Sequence, residues 1–292
     1  MNFPRHFICL WLLLVSAQCT TVYKVPIQLS KSTIHALALP SDTQQIGVQF
    51  YDGLLQLSPG PTLSCEVTVE VLADNQEQLE RLSQTAVPVV TVDQQGAMQL
   101  RLDLPTGAKL NAVRSYWRIC APRHLGIKVK TQKGGVAVQG APCDLEVIGG
   151  SGILDARLAG GSAVLETTSG SILLRGTYDT ADLSADIGRI DLILPPKLNA
   201  LTDLRLTSER GGIYIDMPSE QTLNMELQGL PKQMECDPDI RITWDQALET
   251  DGIEIHVGRL GNLAKQPQGR LQIKTRDQVQ IRLASTPLVA RR

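Results

Sequence analysis

The chain has 292 residues, of which 42% are hydrophobic, and its 28 basic and 30 acidic side chains give a formal net charge of −2. This length and composition are sufficient to bury a substantial core. The near-neutral charge supplies no basic surface for nucleic acid, so the composition excludes a nucleic-acid partner.

The N-terminal segment, residues 1–18, has the pattern of a secretory signal peptide. Arg5 precedes an apolar stretch over residues 7–15, which is too short to span a bilayer. Two processing routes stay open. Signal peptidase would cut after Ala17, or Cys19 would be lipidated, because Val-Ser-Ala-Gln-Cys resembles a bacterial lipobox with an unfavourable Gln18. Either route predicts an exported protein of the bacterial periplasm or outer envelope, which meets a membrane only through a lipid on Cys19.

The cysteine count is compatible with lipidation. Without Cys9 of the leader an odd number remains: Cys19, Cys65, Cys120, Cys143 and Cys236. A lipid on Cys19 would leave four cysteines, enough for two disulfides in an oxidising compartment. We predict a Cys120–Cys143 disulfide, with buried free thiols as the alternative.

The region before residue 121 is predicted to be mostly strand. Residues 19–45 lack clean alternation and are expected to form a tether or an edge strand. Residues 46–120 form an N-terminal β region, with alternation typical of strands over 46–57, 63–72, 89–92, 98–104 and 117–119. Within it, a capping-box pattern at Asp74–Glu77, followed by Leu79 and Leu82 on one face, predicts a short helix over 74–86.

From residue 126 to residue 217 the sequence is similar to itself at a short and nearly fixed period. Each unit has two arms of about five residues, with an apolar residue at every second position, around a glycine turn. The turn glycines are Gly135, Gly152, Gly170, Gly188 and Gly212, with spacings of 17, 18, 18 and 24. Glycine at such a position fits either a positive φ or crowded neighbouring backbones.

This periodicity predicts an all-β fold of stacked coils. We expect a single-stranded β-solenoid, similar to a parallel β-helix, over residues 121–292, with inserted loops near 218–245 and 258–269. Segments 248–257 and 271–283 are interpreted as degenerate coils. An antiparallel meander is the alternative, but a meander has no reason to keep so constant a register.

Several of these elements resemble the bacterial putative-adhesin family of unknown function. The resemblance lies in the strand Val89–Val92, the turn and strand at 93–102, the lead-in at 117–131 and the Thr-x-x-Gly-x-Ile/Val-x-Val/Leu units. It covers roughly residues 89–217. It implies a β-solenoid domain of secreted and envelope proteins, and it brings no catalytic residues.

The sequence has no signature of a catalytic, cofactor or metal site. His35, His124 and His256 lack ligand spacing, and no nucleophile elbow, phosphate loop or dinucleotide fingerprint is present. The segment 149–155 is similar to a calcium-binding nonapeptide, but its Asp155 is one place too late, so we interpret it as a turn. Aromatic residues are only 4% of the chain, which offers few stacking platforms for sugars.

A carboxylate cluster is the one candidate for catalysis. Asp186, Asp191, Glu209 and Asp216 could lie near one another on successive coils, as in polysaccharide lyases or hydrolases. Interleaved Lys and Arg favour an ordinary solvated face instead. The sequence therefore predicts a non-enzymatic, adhesin-like binding or scaffold protein of the cell envelope, whose partner is an envelope protein or a glycan. A carbohydrate-active enzyme on a β-helix is the alternative, and strand addition to another subunit is a third hypothesis.

Overall fold

A computed structural model describes residues 29–37, 39, 43–93, 96–104, 112–141, 144–198, 201–229, 231–250 and 253–283. Within these ranges the chain is all-β, as predicted, apart from one α-helix and short 3-10 turns. In chain order the elements are β1 (Leu29–Leu37), β2 (Gln45–Phe50), β3 (Gly53–Pro59), β4 (Ser64–Ala73), α1 (Gln76–Thr85), β5 (Val87–Val92), β6 (Met98–Asp103), β7 (Val113–Ala121), β8 (Gly126–Thr131), β9 (Gly135–Ala141), β10 (Leu145–Gly149), β11 (Ile153–Ala159), β12 (Ser162–Thr167), β13 (Ser171–Thr177), β14 (Thr180–Ile187), β15 (Ile190–Ile193), β16 (Thr202–Arg210), β17 (Ile213–Met217), β18 (Thr222–Gln228), β19 (Met234–Cys236), β20 (Arg241–Thr250), β21 (Ile253–Gly261), β22 (Gly269–Thr275) and β23 (Val279–Leu283).

The strands form two large sheets. Sheet 1 has the order β1-β4-β7-β3-β9-β11-β13-β15-β17-β23-β19, and sheet 2 has the order β20-β21-β18-β22-β16-β14-β12-β10-β8-β2-β6-β5. From β8 to β17 the chain alternates between the sheets, so one strand of each makes a layer. The inward side chains of both sheets form one hydrophobic cluster, which places the core between them.

Successive layers pair in parallel with a constant register. In sheet 2, Leu145 pairs with Ile127 and with Ala163, and Ala163 pairs with Ala181, so these three steps along the chain are equal in length. The next step, from Ala181 to Leu204, is longer, because residues 195–201 lengthen the connection. Side chains at every second position therefore form rows that are fully buried between the sheets.

Glycines at one corner of the layers let neighbouring backbones approach closely. A Cβ atom at Gly170 would lie 1.9 Å from the carbonyl oxygen of Gly152, and one at Gly188 would lie 1.8 Å from that of Gly170. The glycine column consists of Gly134, Gly152, Gly170, Gly188 and Gly211. At its two ends it contains Gly134 and Gly211, which are the residues before the predicted Gly135 and Gly212. Gly152, Gly188 and Gly211 fit both explanations, since each has a positive φ angle and also lies against a neighbouring backbone, whereas Gly170 fits the crowded-backbone explanation alone.

The N-terminal end continues the same two sheets and is then closed. β2 pairs with β8 and β3 pairs with β9, both in parallel, whereas β4 and β1 add to sheet 1 in antiparallel directions. Helix α1 packs against β4 and β1 and buries Leu79 and Leu82. Its N-cap is Asn75, whose Oδ1 accepts a hydrogen bond from the Gln78 backbone N–H at 2.8 Å, one residue later than the capping box we expected.

The C-terminal end differs from the prediction. The segment 218–245, expected to be an inserted loop, contains β18, β19 and the start of β20. Segment 248–257 is not a degenerate coil, because β20 and β21 pair in antiparallel directions and β21 pairs in antiparallel with β18. The expected loop at 258–269 shortens to 262–268, since residues 258–261 belong to β21. Segment 271–283 does form parallel strands, β22 and β23.

None of the helical residues in the described ranges forms a helix that is both long and apolar enough to cross a membrane.

Candidate functional site

The four carboxylates proposed for catalysis do not form one cluster. Asp191 and Asp216 lie on the outer face of sheet 1, on the neighbouring strands β15 and β17. Asp186 and Glu209 lie on β14 and β16 of sheet 2. The predicted carboxylate cluster is therefore wrong. Successive strands belong to different sheets, so the outward side chains of the two arms of one layer point to opposite sides of the molecule.

Arginines engage both carboxylates on sheet 1. The Arg189 guanidinium donates two hydrogen bonds to Asp191, and Arg282 Nε donates one to Asp216 Oδ1 at 2.8 Å. The guanidinium carbon of Arg189 lies 3.8 Å from the centre of the Tyr214 ring, and that of Arg282 lies 5.8 Å away. Hydrogen bonding to Asp191 raises the pKa of Arg189 above its ordinary value. The two carboxylates are therefore counter-ions in an exposed network.

The outer face of sheet 2 carries a second row of polar side chains. Lys128 Nζ and Glu146 Oε2 lie 2.9 Å apart on adjacent strands. Beside them is an open groove of about 520 Å³, in which Asp144 Oδ1 accepts hydrogen bonds from the Ser162 backbone N–H at 3.0 Å and from its hydroxyl at 2.7 Å. As predicted, Lys128 and Glu166 face solvent. The groove holds ion-paired and hydrogen-bonded groups, and its carboxylates are those of an ordinary solvated strand face.

The histidines stay apart. His35 lies on β1, His124 in the turn before β8, and His256 on β21. His256 is buried, with its ring edge against Trp244 at 5.5 Å between centres and its Nε2 3.0 Å from Glu254 Oε1. Over the described ranges, no three His, Cys, Asp or Glu side chains are grouped so that they could hold a metal ion.

The cysteines lie in three separate environments. Burial, and then the charge of Glu66, raises the pKa of Cys65 to about 12, and burial raises that of Cys236 to about 11. Cys120 is half-buried, and its sulfur lies 3.3 Å from the Ser58 hydroxyl. Cys65, Cys120 and Cys236 form no disulfide with one another. Cys143 and Cys19 lie outside the described residues, so the Cys120–Cys143 disulfide and the lipidation of Cys19 stay predictions.

Two features of the surface carry no signal in the sequence. The contacts of Tyr214 with Arg189 and Arg282 depend on a register that joins strands distant in the chain, since Asp216 pairs with Arg282. The position of Trp244, 37% exposed on the inner side of the β20–β21 hairpin, depends on that hairpin being antiparallel. Periodicity alone reports neither the direction of a strand nor its distant partner.

No protein-family model and no curated protein matches this chain. Among solved structures it is similar to a putative cell adhesion protein from Clostridium sporogenes, at 11% identity and a TM-score of 0.38 over 88% of this chain and 100% of that one. It is also similar to a putative adhesin from Bacteroides fragilis, at 11% identity and a TM-score of 0.41 over 86% and 96%. A putative lipid binding protein from Parabacteroides distasonis is similar at 11% identity and a TM-score of 0.42 over 86% and 96%. Two of these three names agree with the putative-adhesin family that the sequence motifs resemble.

Proposed function

We propose that this chain is a non-enzymatic, adhesin-like binding or scaffold protein of the bacterial cell envelope. The observation that carries the proposal is the in-register stacking of layers, which repeats outward-facing side chains at the strand spacing along two broad sheet faces. Neighbouring strands lie about 4.8 Å apart. A rigid face with such a spacing suits an extended partner better than a small substrate, which needs a concave pocket.

We infer that the stacked layers form a β-solenoid. The equal steps between parallel strands, the alternation between two sheets and the glycine column all support this architecture. Residues 121–292 would then be the solenoid domain, although both sheets also run on into β2, β3 and β6. Parallel stacking of this kind gives stability through nearest-neighbour layers, and it leaves the outer faces free to vary.

The leader-like segment at residues 1–18 supports export, and Cys19 would be the lipid-bearing residue if the chain is anchored. In either case the two faces would be presented to the periplasm or to the outer envelope. The partner is proposed to be an envelope protein or a glycan.

Site-specific crosslinking in cells tests the proposal. A photo-crosslinking residue at Glu166 on sheet 2 or at Arg157 on sheet 1 would sample the two exposed faces, and the same residue at Glu80 on α1 is the matched control. We expect at least one face to capture an envelope component that the helix position does not capture. Equal capture at all three positions would contradict the proposal. Intact mass of the purified protein would report a lipid on Cys19.

The enzymatic alternative is separable from this proposal. If the chain were a polysaccharide lyase or hydrolase, acidic polysaccharides would yield unsaturated products or new reducing ends, and Asp191→Ala and Asp216→Ala would abolish them. We expect no such products, because Arg189 and Arg282 hold these two carboxylates as counter-ions.

A further inference from the structure

An apolar row crosses the outer face of sheet 1 near the N-terminal end. Ile34 on β1 pairs with Thr68 on β4, which pairs with Tyr116 on β7, which in turn pairs with Leu54 on β3. Leu54 pairs with Gly135, and the Ile153 carbonyl lies 3.3 Å from the Cβ position of that glycine. We call this set the transverse row: Ile34, Thr68, Tyr116, Leu54, Gly135 and Ile153. Six strands at the usual spacing make it about 24 Å long.

The transverse row is exposed, although its members are strand residues. Ile34 is 67% exposed, Ile153 65% and Tyr116 41%. Exposed apolar side chains scattered singly need no explanation, but these three lie on one line across the face, on β1, β7 and β11, with the apolar Leu54 of β3 between the last two. We take this alignment on one sheet face to indicate a surface that binds a partner.

Hydrogen-bonding side chains flank the row. On one side, Arg118 Nη1 donates to Glu66 Oε1 at 2.8 Å, and Gln56 is exposed on the next strand. On the other side, Glu70 accepts a hydrogen bond from the Tyr116 hydroxyl at 3.4 Å. A cavity of about 290 Å³ lies at the centre, lined chiefly by Leu54, Gln56, Glu66, Thr68, Tyr116 and Arg118. The site is thus an apolar strip with hydrogen-bonding side chains along both of its margins.

The width of the row decides between classes of partner. A stable protein interface needs about 800 Å² from each partner around a broad apolar core, and a row one residue wide cannot supply that core. A pyranose ring has one face of C–H groups and a rim of hydroxyls, so it matches an aromatic ring with hydrogen-bonding groups on either side. The local charges, Arg114 and Arg118 against Asp52, Glu66 and Glu70, disfavour an acidic sugar.

We propose that the transverse row binds a neutral polysaccharide, with a sugar ring stacked on Tyr116 and its hydroxyls hydrogen-bonded to Gln56, Glu66 and Arg118. The length of the row fits a linear chain of several sugars. This inference rests on the proposed function and names the class of partner and the face that binds it.

Ligand-observed NMR and calorimetry on the purified chain test the proposal. The probes are cellohexaose, maltohexaose, mannohexaose and N-acetylchitohexaose, with a hexamer of galacturonic acid as the acidic contrast. We expect at least one neutral hexamer to bind, and Tyr116→Ala to weaken it at least tenfold. Tyr116→Phe keeps the ring and should change the affinity less than about threefold, because stacking rather than the hydroxyl carries the contact.

Tyr214→Ala is the matched control. Tyr214 lies on the same sheet face, but the Arg189 guanidinium already covers its ring, so its removal should leave saccharide binding unchanged. Gln56→Ala, an exposed position, should weaken binding without affecting folding. Failure of every neutral hexamer to bind, binding of the acidic hexamer alone, or equal binding by the wild type and Tyr116→Ala would each overturn the inference.

The crosslinking experiment separates the two levels of the proposal. If the wild type and Tyr116→Ala capture the same envelope component equally well, the transverse row is not the binding site and the adhesin-like function stands. If neither captures an envelope component above the α1 control, the proposed function fails as well.

Discussion

The central layers, from β8 to β17, and the two ends of the stack are built in different ways. In the centre, each strand pairs in parallel with its counterpart one layer away, and backbones touch at the glycine column. At the ends most of the outermost strands pair in antiparallel directions, β1, β4 and β5 at one end and β20 and β21 at the other, whereas β19 pairs in parallel with β23. A stack of identical layers could always add one more layer, so a structure of a different kind has to terminate it. The sequence repeat does not encode that terminating structure.

The two ends also differ from each other. At the N-terminal end α1 covers the core with two buried leucines, Leu79 and Leu82. At the C-terminal end the β20–β21 hairpin extends sheet 2, with a bulge between Trp244 and Gln246 and charged side chains at Asp245 and Glu249. Bulges and charges on an edge strand discourage pairing with another chain. A helix therefore closes one end by burial, whereas the other end is closed by a protected edge.

Replacing Gly170 should have the largest effect, because it tests what is special about the centre. In Gly170→Ala the new methyl group would meet the Gly152 carbonyl oxygen at 1.9 Å, and a backbone atom cannot move away without shifting a whole layer. We expect a loss of about 3 kcal/mol or more in the free energy of unfolding, measured with urea.

Gly126→Ala is the matched control, since its methyl group would lie 3.8 Å from the nearest atom. We expect a change below about 1 kcal/mol there. If Gly170→Ala were as stable as Gly126→Ala, close backbone contact would not be what sets the spacing of the central layers.

Leu82→Ala should have the next largest effect, and it should be confined to the N-terminal end. Leu82 is 1% exposed, so its truncation leaves a cavity and costs about 3 kcal/mol. Because layers interact with their neighbours, we expect faster hydrogen exchange in α1, β1 and β4 and unchanged exchange in β12–β15.

Leu183→Ala on β14 provides the reverse case, since Leu183 is fully buried in the centre. Its exchange effect should appear in the central strands instead. Identical exchange patterns for the two variants would mean that the molecule unfolds as one unit. The centre and the ends would then not differ in local stability.

The centre could be predicted from sequence because its signal is local. Val129, Val147 and Leu165 repeat at equal steps and lie in one buried row. The ends could not be predicted as well. β18 has clear alternation at Leu223, Met225 and Leu227, but it inserts between β21 and β22, which follow it in the chain. Nothing local reports that a strand pairs with segments that come much later in the sequence.

The candidate surface was predictable only in part. Outward positions such as Lys128 and Glu166 follow from period two alone. The low aromatic content argued against a sugar site, yet one tyrosine suffices when Ile34, Leu54 and Ile153 align with it across six strands. That alignment needs β1, β4 and β7, whose antiparallel pairing the periodic pattern does not specify.

Trp244→Ala should be milder than Leu82→Ala, although tryptophan is the larger side chain. Trp244 is 37% exposed, so less area returns to water, and we expect a loss of about 1–2 kcal/mol. Hydrogen exchange should rise in β20 and β21 alone. Leu248→Ala, on the outer side of the same strand and 43% exposed, is the control and should change little. A loss from Trp244→Ala that matched that of Leu82→Ala would show that the hairpin is as essential a closure as the helix.

Arg270→Met should have the smallest effect, and it tests the boundary where parallel layers meet the antiparallel end. Arg270 Nη2 donates to Glu226 Oε2 at 2.7 Å, and Gln272 Nε2 donates to the same oxygen at 3.1 Å. The hydrogen bond from Arg270 lowers the pKa of Glu226 below its ordinary value of 4.5. Because the pKa is lower in the folded state, the stabilisation is complete above that ordinary value and is lost as the pH falls through the folded pKa. The wild type should therefore exceed Arg270→Met by about 0.5 kcal/mol at pH 7 and by nothing near pH 2, in urea titrations at both pH values.

Lys274→Met lies on the same strand and the same face, but Lys274 takes part in none of the ion pairs formed by the described residues, so it controls for the loss of a charge. A difference for Arg270→Met that stayed constant from pH 7 to pH 2 would assign the effect to packing of the arginine stem rather than to Glu226. The parallel contact between β22 and β18 would then rest on its backbone hydrogen bonds and on packing of that stem, with no contribution from the charge of Glu226.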